Sequence, residues 1–201
     1  MNKREFLRGA GAALPSAILL SPAQAQGPAA PVSVLIAYHS VTGNTEKMAQ
    51  GVAEGAKGVT GTNVVTKAVG EVTTEDLLSS DAVIVGSPVY FGTMSGEVKS
   101  FLDNWLSKFG VFRDFKMRNK VGGAFATGAS ISNGKETTMI AILGAMAVNQ
   151  MIAVSGGGAF GASATTGPDS PGIDEKELES AKALGKRVAE VAAIVKRGSG
   201  K

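Results

Sequence analysis

Short apolar runs alternate with helical patterns almost to the end of this 201-residue chain, and that alternation most constrains its fold. Val32–Tyr38 is continuously apolar, the pattern of a strand covered on both faces. In Asn44–Lys57 the residues Met48, Val52 and Ala56 stand four apart, which predicts a helix. Residues 63–69 read as a β-branched strand and 74–80 as a short helix. Residues 81–86 read as a third, buried strand built on Ala82-Val83-Ile84-Val85. Val98, Phe101, Leu102, Trp105, Leu106 and Phe109 keep helical spacing on one face, so these aromatics are expected in the core. Residues 120–127 and 151–154 read as the fourth and fifth strands, with a helix over 134–147 between them. The last helix starts at Asp174, with Glu177 completing a capping box, and its stripe is Leu178, Ala181, Leu184, Val188, Val191 and Val195. Such alternation implies an α/β fold with a parallel sheet and helices on both faces. Right-handed crossovers then leave a few doubly wound arrangements.

The first 31 residues follow a different pattern. Lys3, Arg4 and Arg8 are followed by a weakly apolar stretch over residues 9–20 and then by Ala23-Gln24-Ala25. Basic, apolar and small-x-small regions in that order predict a cleavable export signal over residues 1–25. Its apolar part is too short to span a bilayer as a stable anchor. The order Lys3-Arg4-Glu5-Phe6-Leu7-Arg8 resembles the twin-arginine motif, with Lys at the first paired position, and leaves the export route open. A linker over 26–31 and one domain over 32–197 are then expected, in a periplasmic or other exported protein. Cleavage changes 20 basic and 17 acidic residues to 17 and 16, a net charge of +1. Nothing in that balance marks a nucleic-acid-binding surface. The absence of Cys excludes disulfides, thiolate metal sites, iron–sulfur clusters and a cysteine nucleophile, and a single His excludes a polyhistidine metal site. Glycine is in excess, with 27 residues, and suggests backbone-lined loops where side chains would obstruct a ligand.

Ligands of open α/β sheets sit beyond the C-terminal strand ends, so three loops carry the chemistry. The first, Ser40-Val41-Thr42-Gly43-Asn44-Thr45, packs three hydroxyls, an amide and a glycine against a helix N-terminus. Free N–H groups and the helix dipole make that an anion site. It holds no Lys or Arg, so it suits a phosphate that is bound and never transferred. The second loop, Gly86-Ser87-Pro88-Val89-Tyr90-Phe91-Gly92, offers two aromatics to a flat ring. The third, Thr127-Gly128-Ala129-Ser130-Ile131-Ser132-Asn133-Gly134, is small and polar.

Taken together, these segments resemble known proteins. Ser40 to Thr45 is similar to the phosphate loop of flavodoxin-like FMN proteins. Gly86 to Gly96, continuing into Phe101-Leu102-Asp103, resembles the second FMN loop of the WrbA-type NAD(P)H:quinone oxidoreductases. The third loop, with Lys135-Glu136-Thr137-Thr138 behind it, matches at the right spacing, and the likeness runs from Val32 to the final helix. The resemblance implies a flavodoxin-like, doubly wound five-stranded parallel sheet of order 2-1-3-4-5. It implies FMN as cofactor, NAD(P)H as co-substrate, a quinone-like acceptor and a homo-oligomer. It further implies cofactor contacts from Ser40, Val41, Thr42, Gly43, Asn44, Thr45, Pro88, Val89, Tyr90, Phe91, Gly92, Thr127, Gly128, Ala129, Ser130, Ser132, Asn133 and Gly134. No side-chain catalyst is expected, because the flavin carries the chemistry.

The chain departs from that family in three places. The long insertion before the third strand, linked to tetramer formation, is reduced to residues 69–81. The family's His near the flavin falls on Asn149, and its Trp after the third helix falls near Phe109. An exported flavodoxin-like electron carrier without turnover is the alternative, and a flavin binder without redox work is a third reading. Gly156-Gly157-Gly158-Ala159-Phe160-Gly161 fits the dinucleotide pattern, but Ser, Thr, Gly and Pro follow it instead of a helix. His39 is expected as a strand-end residue beside the site and not as a catalytic base.

Overall fold

A computed structural model describes residues 31–167 and 172–199. The expected signal, residues 1–25, and nearly all of the linker lie outside them. The elements run β1 (Val32–Tyr38), α1 (Asn44–Lys57), β2 (Thr62–Ala68), α2 (Thr74–Ser79), β3 (Ala82–Tyr90) and β4 (Thr93–Met94). They continue with α3 (Gly96–Ser107), β5 (Val121–Gly128), α4 (Lys135–Val148), β6 (Ile152–Ala153), β7 (Ala162–Thr165) and α5 (Glu175–Gly198).

The parallel sheet has the order β2-β1-β3-β5-β6, with β7 also pairing β5 and β4 folded back on β3. If β6 and β7 are taken as one interrupted strand, this is the expected order 2-1-3-4-5. Alternate residues of β1 and β3 feed two cores. Leu35, Ala37, Val83 and Val85 pack under α2, α3 and α4, together with Leu77, Phe101, Trp105, Ile142 and Met146. Val34, Ile36, Ala82 and Ile84 pack under α1 and α5, together with Met48, Val52, Leu184 and Val188. Burial on both faces explains why the strands read as unbroken apolar runs. Trp105 is 1% exposed, as its helical spacing predicted. Among the described residues no helix is long and apolar enough to cross a membrane.

Three expectations are corrected. The third strand does not end at Gly86: it runs to Tyr90 and turns back through Phe91-Gly92 into Thr93–Met94. Pro88 disguised it, yet β1 stops pairing at Gly86, so on that side proline leaves no ladder donor missing. The fifth strand is split, with an excursion over residues 154–161 between β6 and β7. Its second half, Ala-Ser-Ala-Thr, carries no large apolar residue, although Ala162 and Ala164 are buried. The glycine excess also does more than line loops. A Cβ on Gly55 would run into the Lys182 carbonyl of α5, and one on Gly185 into the Val52 carbonyl of α1. Glycines on each helix let α1 and α5 cross backbone to backbone.

Candidate functional site

The strand ends and hydrogen bonds bring the three loops together. His39 N–H donates to Gly86 O at 3.2 Å, so the first loop leaves β1 beside β3. Thr45 Oγ1 and Thr127 Oγ1, both buried, share a hydrogen bond of 2.8 Å that joins the first loop to the end of β5. Thr137 Oγ1 donates to Gly92 O at 3.0 Å, and Gly134 lies so close to Gly92 that a Cβ would meet its backbone. Second and third loops are thus in backbone contact.

The first loop is an open helix N-terminus. Gly43 is the N-cap of α1 in the left-handed region, φ 83°, and no side chain caps the helix. The first-turn N–H groups therefore stay available to an anion. Asn44 Nδ2 donates to Thr42 Oγ1 at 3.1 Å, which fixes the loop's shape. Ser40 Oγ is buried without a hydrogen-bond partner. An orphaned hydroxyl under an uncapped helix end is what a phosphate oxygen would satisfy. Burial, followed by the hydrogen bond its hydroxyl gives Glu46 at 3.1 Å, holds the nearby Tyr38 phenol above its ordinary pKa.

The second loop is a two-residue hairpin. Phe91 and Gly92 have φ values of 50° and 84°, the pattern of a type I′ turn. Phe91 stands wholly exposed and Tyr90 half exposed. Beneath the hairpin, His39 Nδ1 lies 3.0 Å from Ser95 Oγ and 3.4 Å from Glu97 Oε2, with its ring 6.4 Å from that of Tyr90 in a T-shaped arrangement. His39 directly follows β1, the strand-end place expected of it, and braces the segment that follows the hairpin.

The third loop is braced from within. With its amide oriented to suit its neighbours, Asn133 donates to Ser130 O at 3.2 Å and accepts from Ala129 N–H at 3.1 Å. Lys135 Nζ donates to Ser130 O, Ile131 O and Thr165 Oγ1. Thr165 and Gly167, at the end of the fifth strand, also border this loop. Sequence reading assigned none of Lys135, Thr165 or Gly167 to the site. A lysine opening a helix, where the dipole disfavours a cation, was the available signal.

Each loop presents a large apolar side chain to solvent, Val41 at 70%, Phe91 at 109% and Ile131 at 82%, and the second adds Tyr90 at 42%. Such side chains around an uncapped helix N-terminus suit a ligand with one phosphate and one flat, largely apolar ring. The cradle is open. A groove of about 470 Å³ lies elsewhere, between α3 and α4, and is lined by Met94, Leu102, Trp105, Phe112, Ala145 and Asn149. The fourteen residues of α4 carry Asn149 about 21 Å from the third loop, and Phe109 likewise follows the far end of α3. Neither residue joins the three loops. The 156–161 glycine segment leads into β7 and not into a helix, which removes it as a dinucleotide site.

Residues 62–166, just over half the chain, match the family described as NADPH-dependent FMN reductase. An NAD(P)H dehydrogenase (quinone) of Archaeoglobus fulgidus is 32% identical over 197 residues, covering 79% of this chain and 96% of that protein. A flavodoxin of Aquifex aeolicus is 38% identical over 170 residues, covering 80% of this chain and 87% of its own. The crystal structure of a WrbA-like flavodoxin from Agrobacterium tumefaciens superposes with a TM-score of 0.68 at 28% identity, covering 80% of this chain and 97% of that one. The chain belongs to the NADPH-dependent FMN reductase family, among its WrbA-type, flavodoxin-like FMN oxidoreductases.

Proposed function

We propose that this protein takes two electrons from a reduced nicotinamide and passes them, through FMN, to a quinone-like acceptor. The observation that carries the reading is the cradle itself, with three mutually bonded loops exposing apolar side chains beside an uncapped helix N-terminus. Ser40, Thr42, Asn44, Thr45 and the first-turn N–H groups of α1 would hold the phosphate. Tyr90 and Phe91 would lie against the ring, and Thr127 to Gly134 would border its polar edge. FMN held there would supply the two-electron chemistry between donor and acceptor. The chain's own task is to bind, orient and shield. The printed names of the quinone-reducing relatives support donor and acceptor.

Export is part of the proposal and rests on the sequence pattern of residues 1–25. It makes the donor the open question, because nicotinamide cofactors are cytoplasmic. Relatives named flavodoxin, 32% and 38% identical, favour a second reading, an exported electron carrier. Steady-state oxidation of NADH or NADPH with benzoquinone separates the two. Turnover that saturates with both substrates supports the enzyme. Reduced protein that forms only with dithionite, and reoxidises without nicotinamide turnover, supports the carrier. Amino-terminal sequencing of the protein from its native host should begin at Gln26, and an intact Met1 form in the cytoplasm would sink the export proposal.

A further inference from the structure

Lys135 is buried, only 4% exposed, at the first position of α4. An ammonium group has three protons to donate, and all three are committed. They go to Ser130 O at 2.6 Å, Ile131 O at 3.1 Å and Thr165 Oγ1 at 3.2 Å. None of these acceptors is charged, and no described carboxylate forms an ion pair with Lys135. Among the described acids, Glu177 is linked to this network through Thr165, whose N–H donates to Glu177 Oε1 at 2.7 Å. Glu177 also accepts from Asp174 N–H in the capping box of α5, and Glu136, beside Lys135, is exposed.

Two ordinary rules are broken at this one residue. A buried charge is normally paired, and a cation is normally kept from a helix N-terminus. Both faults are relieved if an anion sits above the third loop. The clamp also has a geometric effect. In a trans peptide the carbonyl of one residue and the N–H of the next point in opposite directions. Drawing the Ser130 and Ile131 carbonyls onto Lys135 therefore turns the N–H groups of Ile131 and Ser132 away from it.

We infer that Lys135 is a positioning residue for FMN, clamping the third loop and supplying a positive charge, paired with no described carboxylate, that favours the reduced, more negative cofactor over the oxidised one. The inference rests on the FMN reading above. Lys135 has no proton left for a direct contact, so it acts through the loop and through its field.

The test uses apoprotein of the full mature chain and the variants Lys135→Arg, Lys135→Gln and Lys135→Met. FMN affinity is read by fluorescence titration, and the two-electron potential by equilibration with a reference dye under xanthine oxidase reduction. Lys135→Gln keeps amide donors and removes the charge. It should bind oxidised FMN within about threefold of the parent, while reduced FMN binds roughly tenfold less well, which lowers the potential by about 30 mV. Lys135→Met should also weaken oxidised FMN about tenfold by releasing the clamp. Lys135→Arg should restore the parental potential. An unchanged potential in Lys135→Gln with FMN bound would overturn the inference while the FMN reading stands. A parent that takes up no FMN overturns both. Should Lys135→Met fail to fold by circular dichroism, Lys135→Gln and Lys135→Arg decide alone.

Discussion

At the scale of single residues, the hairpin tip carries the clearest conflict between local stability and use. A type I′ turn wants Asn-Gly, and this one has Phe91-Gly92. A phenylalanine at positive φ costs about 1–2 kcal/mol, and its exposed ring recovers nothing from packing. Phe91→Asn should therefore raise the apoprotein's unfolding free energy by about 1 kcal/mol and weaken FMN binding through the loss of ring contact. Urea unfolding and FMN titration check the two halves separately, and an undiminished FMN affinity removes Phe91 from the site. Asp76 tests acid stability. Burial pushes its carboxyl up, but donors from Lys67 and from the Thr73 N–H and hydroxyl outweigh this and hold it below its ordinary range. A depressed native pKa gives stability that is present above the unfolded value of about 3.9 and is lost as pH falls through the native one. Asp76→Asn should be less stable than the parent at pH 7 by about 0.5–2 kcal/mol, and urea unfolding at pH 3 should find that gap narrowed. An equal gap at both pH values would leave the carboxylate's charge without a role.

At the scale of elements, most of the fold was legible because burial on both faces writes strands as apolar runs and one-sided burial writes helices as stripes. Val32–Tyr38 and Asn44–Lys57 have the bounds the sequence predicts. What stayed hidden lacked those signals: β7 is made of small residues, and β3 passes through a Ser-Pro pair. The crossing of α1 and α5 was hidden for a similar reason, since glycine in a helix reads as a weakness until its partner is known. Gly51 approaches Ala181, a Cβ on it meeting that residue's at 3.1 Å, while Gly55 and Gly185 touch the opposite backbone. Gly144 in α4 has open space around it. Gly144→Ala should stabilise by about 0.5–1 kcal/mol through helix propensity. Gly55→Ala should instead destabilise by about 1–3 kcal/mol or more, because the added methyl must push two helices apart. Thermal unfolding of the pair checks the sign, and stabilisation by both would show that α1 and α5 do not meet at these glycines.

At the scale of the whole molecule, sequence reading placed all three loops at one end of the sheet, because topology fixes where strand ends gather. It did not foresee how they are tied, since Thr45–Thr127, Thr137–Gly92 and Lys135–Thr165 join residues far apart in the chain. Those ties make the cradle a junction of β1, β3, β5 and β7, so a cofactor held there should stabilise the fold as a unit. At FMN a hundredfold above its dissociation constant, linkage contributes about 2.7 kcal/mol. For a domain of this size that corresponds to a rise in melting temperature of about 5–11 °C. Riboflavin offers the same ring without the phosphate and cannot engage the uncapped end of α1, so at equal concentration its rise should be much smaller. FAD carries an adenylate for which the first loop has no second cradle, and it too should fall short of FMN. Thr42→Val removes a hydroxyl beside the phosphate while keeping side-chain volume. A hydrogen bond to a charged group is worth about 1.5–3 kcal/mol, so FMN affinity should fall roughly ten- to a hundredfold, with the riboflavin response unchanged. Thermal scans of apoprotein with each of the three flavins measure all of this together. If riboflavin stabilises parent and variant as well as FMN stabilises the parent, the phosphate is not held by residues 40–45, and the three-loop cradle is not the site.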